Sequence, residues 1–336
     1  MSGVKSSKAV ADTAKHVNKE NDGLYQPRKV RPNISICVPT FERSEFLDYL
    51  LANILEQVGE DSESVQVVVS DNFSQDSTWS IIDKFQHRSL NLKYLRNYKN
   101  LGFTGNLNAA VSGSNGKYCW LMGDDDALRP GAISFIAELL KINNPDVAIS
   151  NRYTCDLDLK VQGAENFLPK ITANRIFDFN TRSDMLEYFA GVQTTIGMFN
   201  FISNLVIRRD CWMRAAEVSG YSNTIFPHIF KIVDILRNQQ GRLLYVPENT
   251  VFARTGNDRL NDIHLGSSFK SWQLHFSGNI EVADYYFSDD QEAYDAFLGP
   301  IRGIIEKGRE YYISLAEKDG FLDEAVITLR KLKIAS

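Results

Sequence analysis

Ile34-Ser-Ile-Cys-Val38-Pro39-Thr40-Phe41-Glu42-Arg43 is the first apolar run of the chain, and Val65-Gln-Val-Val-Val69-Ser70-Asp71-Asn72-Phe73-Ser74 repeats its plan. In both, a short β-rich segment gives way abruptly to polar residues. Between them, Glu45 to Gln57 carries the apolar spacing of an amphipathic helix. The alternation continues with apolar runs at Leu92–Leu95, Tyr118–Met122 and Val147–Ile149. Helical patterns lie at Ser77–Gln86, Gly105–Ser112 and Pro130–Lys141, the last opening with proline near its first turn. Such alternation predicts an α/β fold of βαβ units on a mostly parallel central sheet with flanking helices. In such sheets ligands bind beyond the carboxyl ends of the strands, so the residues just after each run matter most. The second half reads as a mixed stretch to about Ile207, a helix from Asp210 as N-cap to Val218, and a helix from Phe226 to Asn238. A strand at Arg242–Val246 follows, then helices at Ser267–Phe287, Asp289–Lys318 and Leu322–Ile334.

Composition narrows the classes. The 336 residues are 43% hydrophobic and 24% charged, which disfavours disordered, collagen-like and multi-span membrane chains. A net charge of −5 with no basic block in the core argues against nucleic-acid binding. Cys37, Cys119, Cys155 and Cys211 form no CxxC pair, so buried reduced thiols are expected rather than zinc or disulfides. The start lacks a signal-peptide layout, and a cytoplasmic location is the expectation. The uncharged stretch Tyr188–Ile207 holds Gln193, Thr194, Thr195, Asn200, Ser203 and Asn204, and reads as protein interior and cleft lining. Residues 1–33, with Lys5, Lys8, Lys15, Lys19, Arg28, Lys29 and Arg31, form a flexible basic arm: a solvated tail, or a peripheral contact with an anionic membrane at the inner face of the cell membrane. The amphipathic end, with Leu322, Ala325, Val326, Leu329, Leu332 and Ile334, reads equally as membrane-facing or as packed on the catalytic domain or another subunit. An oligomer is compatible with the sequence, which does not specify one.

The strongest local feature is Gly123-Asp124-Asp125-Asp126 directly after the run Tyr118–Met122. Three consecutive carboxylates repel one another unless cations or hydrogen bonds neutralise them. A strand-end Asp-x-Asp suits a hard divalent cation shared with substrate phosphates, and a solvated, helix-capping acidic turn is the other reading. Pro39 is expected to stop the first ladder, leaving Thr40 to face a nucleotide and Arg43 to meet phosphate. Asp71, at the next strand end, can accept from uracil or thymine N3–H or from an amino group of cytosine or guanine, so the base stays open. Asp76 reads as a helix N-cap. Asn97 to Asn108 is a Gly- and Asn-rich turn opening a helix, suited to close approach of ribose or phosphate, although helix entry alone would explain its glycines.

Pro39 to Arg43, Ser70 to Ser74, Asn97 to Asn108 and Gly123 to Asp126 together resemble, in order and spacing, the donor-site motifs of family 2 glycosyltransferases, which have the GT-A fold. The likeness is dense from Ile34 to Ile149. It implies an inverting transferase that takes a nucleotide-diphosphate sugar and uses Mn²⁺ or Mg²⁺. It would place Pro39, Thr40, Phe41, Arg43, Asp71, Asn100, Gly102, Asn106, Asp124 and Asp125 around the nucleotide-sugar, and Asp124 and Asp126 on the metal. A weaker likeness through Asn204–Arg208, Trp212, Pro227-His228 and Tyr245–Arg254 is to bacterial O-antigen sugar transferases of the abequosyltransferase type, whose saccharide acceptor is lipid-linked.

The likeness implies residues 34–258 as the catalytic domain, divided near 150 into a nucleotide-sugar half and an acceptor half, with a helical extension over 259–336. One departure bears on mechanism. The family commonly has an acidic pair where this chain has Ile225-Phe226-Pro227-His228-Ile229-Phe230-Lys231, with no acid before Asp234. His228 becomes the candidate base, a structural histidine being the alternative, and Asp234 reads as structural. Asp126 and Arg254 complete the catalytic set, Arg254 balancing charge on the leaving diphosphate or forming a surface salt bridge. Tyr188, Phe189, Phe199, Phe201, Phe226 and Phe230 either line an acceptor cleft or form core. A silent nucleotide- or carbohydrate-binding module is the competing class. A nucleotidyltransferase would need a Gly-rich basic loop after the first strand, and a dehydrogenase a GxGxxG, and neither is present.

Overall fold

The computed structural model describes residues 32–58, 64–218, 227–256 and 268–334. The charged residues of the basic arm lie outside them, as do Phe226, Asn257 and Asp258. Every residue of β1 (Ile34–Thr40) is buried, as a central parallel strand covered on both faces requires. It is followed by α1 (Ser44–Val58), β2 (Val65–Asp71), α2 (Thr78–Gln86), β3 (Asn91–Arg96), α3 (Gly102–Gly113) and β4 (Tyr118–Leu121). Then come β5 (Ala127–Leu128), α4 (Ala132–Asn143), β6 (Val147–Cys155), β7 (Val161–Glu165), β8 (Arg175–Asp178), α5 (Arg182–Gly191), β9 (Leu205–Arg208) and α6 (Arg209–Arg214). The chain continues through α7 (Pro227–Val233), β10 (Arg242–Arg254), α8 (Ser268–Tyr286), α9 (Gln291–Lys307), α10 (Arg309–Asp319) and α11 (Leu322–Lys331).

Among the described residues the sheet runs β3-β2-β1-β4-β9-β6-β10-β5, with β7 on β6 and β8 on β10. β3, β2, β1 and β4 are parallel, in the register Ile34 opposite Val65 and Tyr118. β9 enters antiparallel to both β4 and β6, and so joins the parallel half to the rest of the sheet. α1 packs through Leu47, Leu50, Leu51, Ile54 and Val58, the helical stripe that its sequence showed.

Several expectations change in detail. Pro39 does not end its strand: β1 runs on to Thr40, with Pro39 opposite Ser70. Pairing with β4 has already ended at Cys37 opposite Leu121, so the missing proline N–H removes no ladder bond. Asp210 is in the first turn of α6 rather than its cap, and the helix stops at Arg214. The helix expected over Asp289–Lys318 is two, broken at Gly308, and its start is capped by Asp290, which accepts from Ala293 N. β10 is far longer than Arg242–Val246, because register shifts around Asn249 carry it past Pro247.

Tyr188, Phe189 and Phe199 are fully enclosed, with Tyr188 stacked on Phe199 at 5.7 Å and Phe189 edge-on to Phe297 at 5.2 Å. Phe230 is buried too, so four of these rings form core rather than a cleft wall. All four cysteines are buried free thiols. α11 buries Ala325, Thr328 and Leu329 and joins α8 through a Lys270–Glu324 ion pair and a Gln273–Thr328 hydrogen bond, the packed reading of that segment. Among the described residues no helix is long and apolar enough to cross a membrane.

Candidate active site

The acid turn sits at the carboxyl end of β4. Met122 N donates to Cys37 O at 3.0 Å, and the chain then leaves the sheet through Gly123. Each carboxylate that follows is held from a different part of the molecule. Thr40 Oγ1 donates to Asp124 Oδ2 at 2.7 Å, and Arg43 reaches Asp124 at 3.3 Å and Asp125 at 2.6 Å. Asp126 accepts from Ser203 Oγ through Oδ2 and from Arg254 N through Oδ1 at 3.0 Å. Ser203 is itself fixed: its Oγ accepts from Gly123 N at 2.9 Å and its carbonyl from Trp120 Nε1 at 2.8 Å. A Cβ at 123 would stand 2.9 Å from Asp126 Oδ2 and 3.0 Å from Asp125 Oδ1, so a side chain there would displace those carboxylates.

Burial, and then the charge of Asp125, push Asp124 up to about 7 and Asp126 up to about 8. One guanidinium, Arg43, does not neutralise the three acids. A second cation stands behind them: Arg152 is buried, lies 4.2 Å over the Phe201 ring, pairs with Glu165 at 2.7 Å, and its charge acts on Asp126. Among the described residues no three His, Cys, Asp or Glu side chains converge on one ion position. Two buried carboxylates of raised proton affinity suit a hard cation that completes its shell from phosphate and water.

The loops after β1, β2 and β3 are sewn together by side-chain amides. Asn72 donates to Asn100 Oδ1 at 2.7 Å and accepts from Leu101 N at 2.8 Å, while Asn97 donates to Asn106 at 2.9 Å and Asn106 to Thr40 O at 3.1 Å. Asn100 also accepts from Gly102 N at 2.8 Å, and Gly102 takes a φ of 70° with open space around it. Asn100, Gly102 and Asn106 therefore shape this edge through one another. Asp71 is placed differently from the expectation that it meets the base. It is wholly buried, accepting from Ser74 N at 2.8 Å, Tyr94 Oη at 2.7 Å and Arg96 at 3.2 Å. Tyr94 and Arg96 lie on β3, and nothing in the sequence marks them as partners of an acid on the neighbouring strand. The N-cap of α2 is Ser77 rather than Asp76, which stands one residue before it and accepts from the first N–H of each of two helices, Thr78 N at 3.0 Å and Ser44 N at 2.9 Å.

His228 lies in the first turn of α7, buried, with Nε2 2.9 Å from Phe199 O. A carbonyl only accepts, so Nε2 carries the proton and Nδ1 the lone pair. Burial lowers its pKa to about 4, and the Phe103 ring, from the first turn of α3, meets it edge-on at 6.1 Å. Asp234 accepts from Ala216 N, Asn238 and Gln239, a structural role. Arg254 is not a surface salt bridge. It donates to Asp125 O at 2.7 Å and to Leu157 O, and its guanidinium lies 4.9 Å from the Phe46 ring and 5.7 Å from that of Tyr49.

A parallel half-sheet with an acid turn at its carboxyl edge is thus joined through β9 to a mixed half. Residues 35–204 match the family described as Glycosyl transferase family 2, half of the chain, and the protein belongs to that family and is a glycosyltransferase. It is 29% identical over 227 residues to abequosyltransferase RfbV of Salmonella typhimurium, a span of 67% of each chain. It is 33% identical over 109 residues to a GalNAc(5)-diNAcBac-PP-undecaprenol β-1,3-glucosyltransferase of Campylobacter jejuni, spanning 34% of that protein's length. Among solved structures, S. aureus TarS 1–349 with UDP-GlcNAc superposes with a TM-score of 0.62 at 15% identity, covering 89% of this chain and 81% of that one. Pyrobaculum calidifontis mannosyltransferase PcManGT, solved with GDP-Man and Mn²⁺, superposes with a TM-score of 0.50 at 14% identity, covering 90% and 87%. These likenesses carry the fold, the GT-A arrangement that the motifs implied.

Proposed function

We propose that the enzyme moves a sugar, with inversion, from a nucleotide-diphosphate donor to a hydroxyl of a lipid-linked saccharide. The setting is assembly of a bacterial surface polysaccharide, O-antigen or capsule, at the cytoplasmic face of the membrane. The observation that carries the reading is the acid turn at the carboxyl edge of β4, with two buried, proton-avid carboxylates held beside the Arg43 guanidinium. Asp124 and Asp126 would hold Mn²⁺ or Mg²⁺, which supplies Lewis-acid charge against the departing diphosphate. Arg43, with one fifth of its side chain exposed, would meet the donor phosphates without leaving Asp124. Arg254, held between the acid turn and two rings, keeps a fixed positive charge beside Asp125. The acceptor choice is supported by the names of the two relatives, one an abequosyltransferase and one acting on a PP-undecaprenol saccharide.

His228 is the base of this proposal. Its imidazole is unprotonated at neutral pH, and Nδ1 is the nitrogen able to take the acceptor proton. A base this weak accepts that proton only as the bond to the anomeric carbon forms, on the face opposite the leaving diphosphate. Near-normal turnover of H228A at saturating donor and acceptor would remove it from this role. For the reaction itself, UDP-, GDP-, CDP- and dTDP-sugars are incubated with Mn²⁺ but no acceptor. Slow release of one nucleoside diphosphate, absent in D126A, is expected. No release from any donor, with the fold intact, would leave a silent binding module.

A further inference from the structure

Two residues in facing loops hold left-handed backbone conformations that side-chain-bearing residues rarely adopt: Glu42 at φ 55° after β1 and Phe73 at φ 74° after β2. For a residue as bulky as phenylalanine this is a true outlier, and such strain persists only where the surroundings enforce it. Here they do so reciprocally. Glu42 N donates to Ser74 Oγ at 2.9 Å, Gln75 N to Glu42 Oε1 at 3.1 Å, and Ser74 N to Asp71 Oδ1 at 2.8 Å. Despite that strain the Phe73 ring is not buried. It is 44% exposed, with the Arg96 guanidinium 5.4 Å from its centroid. A strained position that returns no core packing calls for another use of the ring.

Its place in the sheet indicates which. β4 carries the acid turn, β1 beside it carries Arg43, and β2 beside that carries Phe73. A diphosphate on Arg43 and the acid turn puts its nucleoside over the ends of β1 and β2, two strand spacings or roughly 10 Å along the edge. Asp71, the group expected there, is sealed beneath Tyr94 and Arg96. The geometry points to the Phe73 ring, backed by Arg96, as the platform on which the donor nucleobase stacks, with the paired left-handed corners at Glu42 and Phe73 setting its height. The assignment rests on the donor reading above and deepens it to one residue that selects for a base.

The test uses F73G, which accepts the left-handed backbone without strain, and F73L, which keeps the strain and removes the ring. UDP, GDP, CDP, dTDP, ADP and pyrophosphate are titrated calorimetrically against each protein in Mn²⁺. The nucleotide that binds wild type is expected to bind F73G and F73L roughly tenfold more weakly. Pyrophosphate affinity is expected to be unchanged, and the Tm of F73G to lie at or above that of wild type. Unchanged nucleotide affinity in F73L, equal weakening of nucleotide and pyrophosphate, or a lower Tm for F73G would each overturn the assignment alone. Failure of all five nucleotides to bind wild type would overturn the donor reading and this assignment with it.

Discussion

The acid turn and the start of α7 are both buried, yet they solve the problem of a titratable group indoors in opposite ways. Asp124 and Asp126 are surrounded by polar partners drawn from β1, β10 and the turn before β9, and burial and Asp125 raise their proton affinity. His228 sits against Phe199 O and the edge of Phe103, and burial lowers its proton affinity. One region stores a demand for positive charge, while the other excludes it. Donor binding is therefore expected to answer to cations and pH, and the acceptor side to geometry.

The strongest way to break that contrast is to remove the demand. D124A or D126A is expected to lower kcat by about 10²- to 10³-fold, while H228A lowers it by about 10²-fold with the metal dependence unchanged. Steady-state kinetics across a Mn²⁺ series checks both. A shift of metal dependence in H228A would show that the two regions are not separate.

The pH dependence of stability sharpens the contrast, because the two signs differ. Asp124 and Asp126 bind more protons folded than unfolded, so they stabilise below pH 4, and this contribution is lost as pH rises towards 7 and 8. His228 binds fewer protons folded than unfolded, so its contribution is present above about 6.5 and is lost as pH falls towards 4. Between about pH 4 and 6.5 the two carboxylates outweigh the one histidine, so Tm of the metal-free protein should fall as pH rises from about 4 towards 8. D126N should flatten that fall and H228Q should steepen it below about 6.5, as read by calorimetric scans.

Next in size is S203A, which leaves Asp126 Oδ2 and Gly123 N without their shared hydroxyl. A cost of about 1–3 kcal/mol in stability is expected from denaturant melts, together with a higher Mn²⁺ requirement. The smallest effect is D290A, which removes the cap of α9 and a surface ion pair with Arg182. It should cost about 1 kcal/mol in stability with turnover unchanged.

What the sequence could tell differs along the same line. Strands β1, β2 and β4 are apolar runs because both faces are covered, and the polar residues that end them are neighbours in sequence as in space, so the donor motifs were readable. Ser203, Arg152 and Tyr94 act on those motifs across strand pairings, and a lone serine, arginine or tyrosine has no periodicity to betray it. Asp71 was readable as a strand-end acid but not as a sealed one, since the seal comes from β3. The halves of the Asp289–Lys318 segment share one helical pattern, and only a glycine at 308 separates them. The competition at His228 between base and structural residue is one that pattern alone does not decide, because both need a histidine on a buried face.

β9, lying between β4 and β6 with Ser203 two residues before it, bears on how this enzyme can be rebuilt. If the acceptor half begins near residue 151, as proposed from the likeness, a chimera that replaces the chain from there onward would lose the hydroxyl under Asp126 and the strand that covers the edge of β4. An open strand edge is also a template for self-association. Retargeting the acceptor while keeping the donor thus calls for grafts on either side of 203–208, so that the transplanted segments leave that short piece of the parent in place.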